Sequence, residues 1–324
     1  MENLIFSLNA TVPVFLLMVL GFVLRKTGLI DDGFAAKMNR FVFLVPLPVL
    51  VFEDLATVDF SRVWNAGFVL FCFAATLVSI ALAAAVSFLW KDKSIRGEFI
   101  QASYRSSAAI LGIAFIQNIY GDAGMAPLMI IGSVPLYNIM AVVVLSFFQP
   151  EHGEPEHGKP EHGKPDRAVW KKTALGIVTN PIILGIAAGL VWSALRMPMP
   201  HILEKLVSDV GSTATPLGLM AMGATFDGKK ALGRAKPAVM ASVMKLVLFA
   251  ALFLPAAVWL GFRREELVAL LVMLSSATTV SCYVMARNMG HEGVLTSSVV
   301  MLTTLFSAFT MTGWLFLLRS MGLI

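Results

Sequence analysis

Residues 11–21 read TVPVFLLMVLG, and residues 179–189 read TNPIILGIAAG. Thr, Pro and Gly recur at the same places in both stretches, 168 residues apart, and Pro48 recurs as Pro216 at the same offset. Both stretches are apolar, and each lies near the start of one half of the chain. The sequence is therefore interpreted as two copies of one membrane-embedded unit.

The composition predicts an all-α integral membrane protein. The 324 residues are 57% hydrophobic and 14% charged, with a mean hydropathy of +0.79, whereas soluble domains carry about 25% charged residues. A helix needs about 20 apolar residues to cross the hydrocarbon core of a bilayer. Ten apolar segments are predicted as membrane helices, at residues 5–24, 40–58, 66–90, 99–119, 124–148, 172–195, 204–226, 237–262, 266–286 and 294–318.

The basic residues predict the orientation of these helices. Seventeen of the 25 Lys and Arg residues fall in one set of alternate loops, and six fall in the other. Cytoplasmic loops carry the excess of Lys and Arg, so the first set is predicted to be cytoplasmic and both termini extracytoplasmic. Because the basic residues are scattered over short loops, the net charge of +5 does not indicate a nucleic-acid partner.

The number of segments per half predicts that the repeat is inverted. Five segments lie in residues 1–148 and five in residues 172–324, so the second half enters the membrane from the opposite side. Inverted repeats of this kind are typical of secondary transporters, whose substrate site lies near the bilayer midplane on interrupted helices. Residues 149–171, between the halves, are predicted to be a cytoplasmic linker.

The linker contains three copies of a Glu-His-Gly-x-Pro pentapeptide. Gly and Pro in every five residues disfavour a stable helix or strand. His152, His157 and His162 could in principle bind a metal, because His-rich tracts sometimes do. The composition favours a low-complexity, disordered linker, and no metal or cofactor is predicted.

Hydroxyl side chains are concentrated on the fourth and ninth segments, which occupy equivalent positions in the two halves. Polar groups are expensive in a bilayer and tend to mark a functional path, although Ser and Thr also serve as packing residues in membrane helices. The paired clusters predict two broken helices that cross, with free N–H groups and positive dipole ends facing a cavity. The predicted substrate-binding residues of these two segments are Arg105, Ser106, Ser107, Thr278, Thr279 and Ser281.

Arg105 is the sharpest candidate, because its guanidinium fork suits a substrate carboxylate. The alternative is that it extends to the cytoplasmic end of its helix, about six residues away. Lys245 in segment eight faces the same choice, and Asn138 in segment five is a further candidate for the cavity lining.

Three acidic side chains in the segments could carry a proton or pair with Arg105. Asp209 lies early in segment seven and is predicted, with Lys245, as a coupling or supporting charge. For Glu53 and Asp54, near the outer end of segment two, an interfacial position is preferred.

The chain resembles the auxin efflux carrier family, whose bacterial members include malate and malonate permeases. The resemblance covers nearly the whole chain and is carried by Asn180-Pro181, Thr215-Pro216-Leu217-Gly218-Leu219, Lys245 and Thr303-Thr304-Leu305-Phe306-Ser307. It implies ten helices in an inverted five-plus-five repeat, with crossover helices four and nine. It also implies a dimeric scaffold of helices 1, 2, 6 and 7 beside a mobile transport domain of helices 3–5 and 8–10.

The sequence departs from the family pattern at the crossovers. Family members often carry Asn near Ser107 and Pro near Ala114 and Ala277, which here are Ser and Ala. Without these prolines, the first break is expected to depend on Gly112 and on the hydroxyl clusters.

Together these features predict a secondary transporter of a small organic anion, a carboxylate, dicarboxylate or auxin-like acid, that works by elevator-like alternating access. The expected setting is the cell inner membrane, as a multi-pass homodimer whose other partner is membrane lipid. A channel or membrane sensor that binds a small anion is the alternative. An enzyme is not predicted, because His-Glu-x-x-His and Gly-x-Ser-x-Gly motifs are absent.

Overall fold

The computed structural model describes residues 2–56, 65–121, 124–149, 176 and 178–324, and these residues form helices joined by short connections. The predicted linker with His152, His157 and His162 lies outside the described residues. In chain order the helices are α1 (Glu2–Lys26), α2 (Asp32–Leu44), α3 (Pro46–Ala56), α4 (Ala66–Ser87), α5 (Arg96–Tyr104), α6 (Ala108–Tyr120), α7 (Ala126–Phe147), α8 (Pro181–Ala194), α9 (His201–Ser212), α10 (Ala214–Ala224), α11 (Gly228–Gly233), α12 (Ala235–Val243), α13 (Phe249–Trp259), α14 (Glu265–Ser275), α15 (Ser281–Asn288) and α16 (Val294–Ser320).

Within the described ranges, five helical stretches are long and apolar enough to cross a membrane. They are Asp32–Ala56, Ala66–Ser87, Ala126–Phe147, Ala235–Trp259 and Val294–Ser320. The all-helical class predicted from the sequence is confirmed for this part of the chain, since it contains no strand.

The segment predicted at residues 40–58 is instead two helices. α2 begins at Asp32, where Asp31 accepts a hydrogen bond from the Phe34 N–H, and the chain breaks at Val45 before α3. The break follows from Pro46, which lacks an N–H and disfavours helical geometry in the residue before it. The segment predicted at 204–226 is likewise divided between α9 and α10, at Thr213.

Two pairs of helices pack at very short range through glycines. α1 packs on α10, where a Cβ atom at Gly21 would overlap the backbone of Met220. α8 packs on α3, where a Cβ atom at Gly189 would lie 2.9 Å from the Phe52 carbonyl oxygen. Gly189 follows Gly21 by 168 residues, and Met220 follows Phe52 by the same number. The two contacts are therefore equivalent under the repeat read from the sequence.

Both predicted crossover segments are broken, and their breaks touch. α5 ends at Tyr104 and α6 begins at Ala108, while α14 ends at Ser275 and α15 begins at Ser281. The Ser107 N–H donates to the Ala277 carbonyl oxygen at 3.0 Å. The irregular backbone of one break thus satisfies a polar group of the other, as a buried break requires.

The expected role of Gly112 in the first break is wrong. Gly112 lies inside α6, five residues after the last broken position, Ser107. A single helical Gly lowers helix propensity by only about 1 kcal/mol. The interruption is held instead by contacts between the two breaks.

An ion pair joins two of the connections between helices. Asp92, in the connection from α4 to α5, pairs with Arg234 at the start of α12. The Ser94 hydroxyl, followed by the Arg234 guanidinium, lowers the pKa of Asp92 to about 2. The Asp92 carboxylate therefore stays ionised at any pH above about 4, and the pair persists across the neutral range.

Candidate functional site

A cavity of about 60 Å³ lies where the two breaks meet α3, α7 and α10. Its apolar wall comes largely from α2 and α3. The polar side chains that line it are Asp54, Arg105, Ser106, Ser107, Tyr137, Asn138, Thr215, Thr279 and Ser281. The structure thus brings together six of the seven predicted binding residues.

Arg105 occupies the break between α5 and α6 and is only 3% exposed. Its guanidinium donates to the Asn138 side-chain oxygen at 2.6 Å and to the Ser281 hydroxyl at 2.8 Å. The Nε atom has no hydrogen-bond partner among the described residues. The side chain therefore points into the bundle, not toward the helix end, and keeps one buried donor without a partner among the described residues.

Two helix N-termini also meet at this cavity. Ser107 and Ala108 line it at the start of α6, and Val280 and Ser281 line it at the start of α15. The first N–H groups of a helix have no partner within that helix, and they carry the positive end of its dipole. With Arg105 between them, these termini form a site that favours a small anion.

Lys245 is fully buried and lies behind the cavity, outside its lining. Its ammonium donates to the carbonyl oxygens of Met273 and Leu274, at 3.0 and 3.1 Å, and to the Ser106 hydroxyl. Those carbonyls belong to the last turn of α14, the negative end of its dipole. Lys245 is therefore positioned as the cationic cap of that broken helix.

The backbone around Lys245 departs from regular α-helical geometry. Met244–Leu248 form a short π-helical segment between α12 and α13. The Leu246 carbonyl oxygen accepts from the Ser275 hydroxyl at 2.5 Å and from the Trp314 indole N–H at 3.2 Å. Such π segments often occur at functional sites, and here neighbouring side chains satisfy the displaced carbonyl group.

Besides Lys245, two further predicted residues lie away from the cavity. Thr278 is buried, but its hydroxyl donates to the Ala102 carbonyl oxygen at 2.9 Å, and its N–H donates to the Thr303 hydroxyl at 3.0 Å. Thr278 thus ties the second break to α5 and α16. Asp209 is exposed on α9 and contributes nothing to the cavity lining.

The sequence analysis missed three polar residues of the cavity lining, Asp54, Tyr137 and Thr215. Asp54 was preferred at the membrane interface, but it lines the same cavity as Arg105. Tyr137 is not among the predicted site residues, but it lines the cavity and its hydroxyl donates to the Met273 carbonyl oxygen at 3.2 Å. An acidic residue near the end of an apolar helix was the available signal for Asp54.

The described part of the chain contains no group of three or more His, Cys, Asp or Glu side chains that could hold a metal ion. The polar lining combines one guanidinium, two helix N-termini and several hydroxyl groups, with Asp54 as its acidic member. The arrangement therefore suits the binding of a small anion.

In the described part of the chain, an all-helical and strongly apolar fold surrounds a small polar cavity between two broken helices, which is typical of membrane transport proteins. The chain belongs to the family whose model is described as "Membrane transport protein", which matches residues 6–315. It is 28% identical over 321 residues to a "Putative malonate transporter" of Rhizobium meliloti (strain 1021), with 95% of this chain and 94% of that protein covered.

These findings confirm the resemblance to auxin efflux carriers. The protein is a multi-pass membrane protein and a transporter, not an enzyme, and a small molecule is its substrate.

Proposed function

We propose that the protein is a secondary transporter of a small organic anion, with a dicarboxylate such as malonate as the first substrate to test. The observation that carries this proposal is Arg105, a buried basic side chain that lines a cavity between the two broken helices. A carboxylate in that cavity would accept charge-assisted hydrogen bonds from the guanidinium. The similarity to a protein named as a malonate transporter supports a dicarboxylate as the substrate class.

The proposed architecture is a ten-helix inverted repeat, with residues 1–148 and 172–324 as the two halves. Three features support it: both crossover segments are broken, both second segments are divided, and the glycine contacts of α1 with α10 and of α8 with α3 are equivalent. Exchange of roles between two such halves is the physical basis of alternating access.

The proposed movement is elevator-like. The scaffold would consist of α1–α3 and α8–α10, and the mobile domain would consist of α4–α7 and α12–α16. The cavity has walls from both sets, with Asp54 and Thr215 from the scaffold and Arg105 and Ser281 from the mobile domain. A substrate held by Arg105 would therefore leave the scaffold wall when the mobile domain moves.

The proposed setting follows from the charges and the resemblance. We place the protein in a bacterial inner membrane, with both termini extracytoplasmic and the scaffold as the dimer contact. The excess of Lys and Arg on one set of loops supports this orientation.

The test is uptake of radiolabelled malonate, with malate and indole-3-acetate as further candidates, into proteoliposomes. Arg105→Ala should lower malonate uptake by about tenfold or more, since a charge-assisted hydrogen bond contributes about 1.5–3 kcal/mol. Arg105→Lys should recover only part of the loss, because an ammonium lacks the planar fork.

Arg96→Ala is the matched control, because Arg96 lies at the far end of α5 and donates to the Trp90 carbonyl oxygen instead of lining the cavity. Wild-type kinetics in folded Arg105→Ala protein would exclude Arg105 from substrate binding.

A further inference from the structure

A second and larger cavity, of about 1260 Å³, opens at the end of the molecule where α1 finishes. Five basic side chains line it, and three acidic ones. The basic residues are Arg25, Lys26, Lys229, Lys230 and Arg287, and the acidic ones are Asp32, Asp227 and Glu292. By the charge rule used above, this end of the protein faces the cytoplasm.

The acidic groups do not neutralise the lysines. Asp32 pairs with Arg25 at 2.6 Å, and the Asp227 carboxylate accepts from the backbone N–H groups of residues 229 and 230. The Lys229 and Lys230 side chains are exposed and take part in no ion pair that the described residues form. Two ammonium groups are therefore available to a ligand.

An apolar cavity of about 230 Å³ continues from this basic cavity. It lies between α1, α10 and α16, and Phe22, Phe226 and Ser297 line both cavities. The rest of its lining consists of Phe15, Met18, Val19, Met222, Gly223 and Met301. The two cavities thus form one path that changes from apolar to basic.

The helix sequences run along this path. On α1, Phe15, Val19 and Phe22 precede Lys26 at intervals of four, three and four residues, which keeps all four on one helix face. On α16, Met301 lies four residues after Ser297, so the apolar end is again deeper in the helix. A ligand that follows both helices has an apolar part inside the membrane and an anionic part at its boundary.

We infer that this path binds one anionic phospholipid, with its phosphate headgroup at Lys229 and Lys230 and an acyl chain between α1, α10 and α16. Basic pockets between helices on the cytoplasmic side are a known type of headgroup site. A free anion would occupy the basic cavity alone and would leave the adjoining apolar cavity unfilled. The continuity of the two cavities therefore favours a lipid.

The position of the lipid predicts that its binding affects the rate of transport. This prediction rests on the proposed function. α1 and α10 belong to the proposed scaffold, whereas α16 belongs to the proposed mobile domain. A lipid in this path contacts both sets, so its binding should alter the rate at which the mobile domain moves.

The binding test needs no transport measurement, so its outcome is independent of the proposed function. The purified full chain in detergent is mixed with phosphatidylglycerol or with phosphatidylcholine of the same acyl chains. Native mass spectrometry then counts the lipid molecules that each protein retains. Wild-type protein should retain one phosphatidylglycerol, with a preference of about tenfold or more over phosphatidylcholine.

The headgroup arm uses the double variant Lys229→Ala/Lys230→Ala. It should lose most of this preference, whereas Lys91→Ala/Lys93→Ala should keep it, because those exposed lysines lie outside the cavity. Equal retention by both double variants, or equal retention of the two lipids by wild type, would overturn the inference.

The acyl-chain arm uses Met301→Trp, which fills the apolar cavity and should lower phosphatidylglycerol retention. Leu305→Trp, one turn further along α16 and outside the cavity lining, is its control. Inorganic phosphate at millimolar concentration should not displace the lipid. Displacement by phosphate, together with unchanged retention in Met301→Trp, would mean a free-anion site and would contradict a lipid site.

Discussion

At the scale of single residues, the chain buries two cations in different electrostatic settings. Arg105 faces a cavity and keeps Nε unpaired, whereas the donors of Lys245 are directed to the carbonyl end of α14 and to Ser106. From the sequence, each is predicted either to face the cavity or to extend toward a helix end. The sequence alone does not show that one lines the cavity and the other caps a helix. Their roles depend on which helix end each side chain reaches across the fold.

Asp54 and Asp209 show the same limit for acidic residues. Each lies near one end of a predicted apolar segment, and of the two only Asp209 is predicted as a coupling or supporting charge. Packing of α3 beside the two breaks brings Asp54 to the cavity, while α9 exposes Asp209. Whether an acidic side chain faces the cavity or the outside depends on how its helix is rotated about its own axis. The polar residues of these two segments are too few and too irregularly spaced to determine that rotation.

Lys245→Met should lower the thermal unfolding midpoint of the detergent-solubilised protein. It removes the donor to the carbonyl oxygens of Met273 and Leu274. The Met273 oxygen keeps the hydroxyls of Tyr137 and Ser106 as donors. The Leu274 oxygen, however, loses its side-chain donor, and a buried polar group left without a partner costs about 1–3 kcal/mol. Scanning fluorimetry measures the midpoint. Lys236→Met, at an exposed position of α12, is the control. Equal midpoints for the two variants would contradict the capping role.

At the scale of elements, the hydroxyl-rich clusters correctly predicted where the two crossover helices break, even without proline. The position followed from residue types that can satisfy a freed backbone, such as Ser106 and Thr278. The division of α9 from α10 and the π segment at Lys245 were not predicted. The π segment depends on contacts with other helices, as the bonds of Ser275 and Trp314 to Leu246 illustrate.

A buried carboxyl group also fixes the start of α16. Glu98 on α5 accepts hydrogen bonds from the Gly293 N–H at 2.8 Å and from the N–H and hydroxyl of Thr296, both at 2.9 Å. Gly293 has a φ of +71°, in the left-handed region that favours glycine. The first crossover segment thereby holds the last helix of the chain in place.

Glu98→Ala should lower the unfolding midpoint more than Glu98→Gln does. The alanine leaves the buried N–H groups of Gly293 and Thr296 without an acceptor, a cost of about 1–3 kcal/mol for each group, whereas glutamine keeps one oxygen. Glu292→Ala changes an exposed glutamate in the adjoining connection and should leave the midpoint unchanged. A midpoint for Glu98→Ala equal to that of Glu292→Ala would exclude this capping role.

At the scale of the whole molecule, the constant offset of 168 residues between matching Thr, Pro and Gly residues predicts that the two halves of the chain arose by duplication. The glycine contacts agree with it, because Gly21 with Met220 and Gly189 with Phe52 are related by the same offset. Orientation, dimerisation and the elevator movement stay predictions, since loop charges and family resemblance are their main support. The lipid path could not be predicted, because it joins residues from three separate parts of the chain, at 15–36, 222–232 and 283–301.

The central claim is that the chain carries an organic anion by alternating access, and malonate counterflow tests it most directly. Proteoliposomes loaded with unlabelled malonate are diluted into a trace of labelled malonate, with no ion gradient imposed. The account predicts a transient accumulation of label above its equilibrium level, which saturates with external malonate and is lost in Arg105→Ala but kept in Arg96→Ala. A folded protein that gives no accumulation with malonate, malate or indole-3-acetate, or a flux that does not saturate, would contradict it.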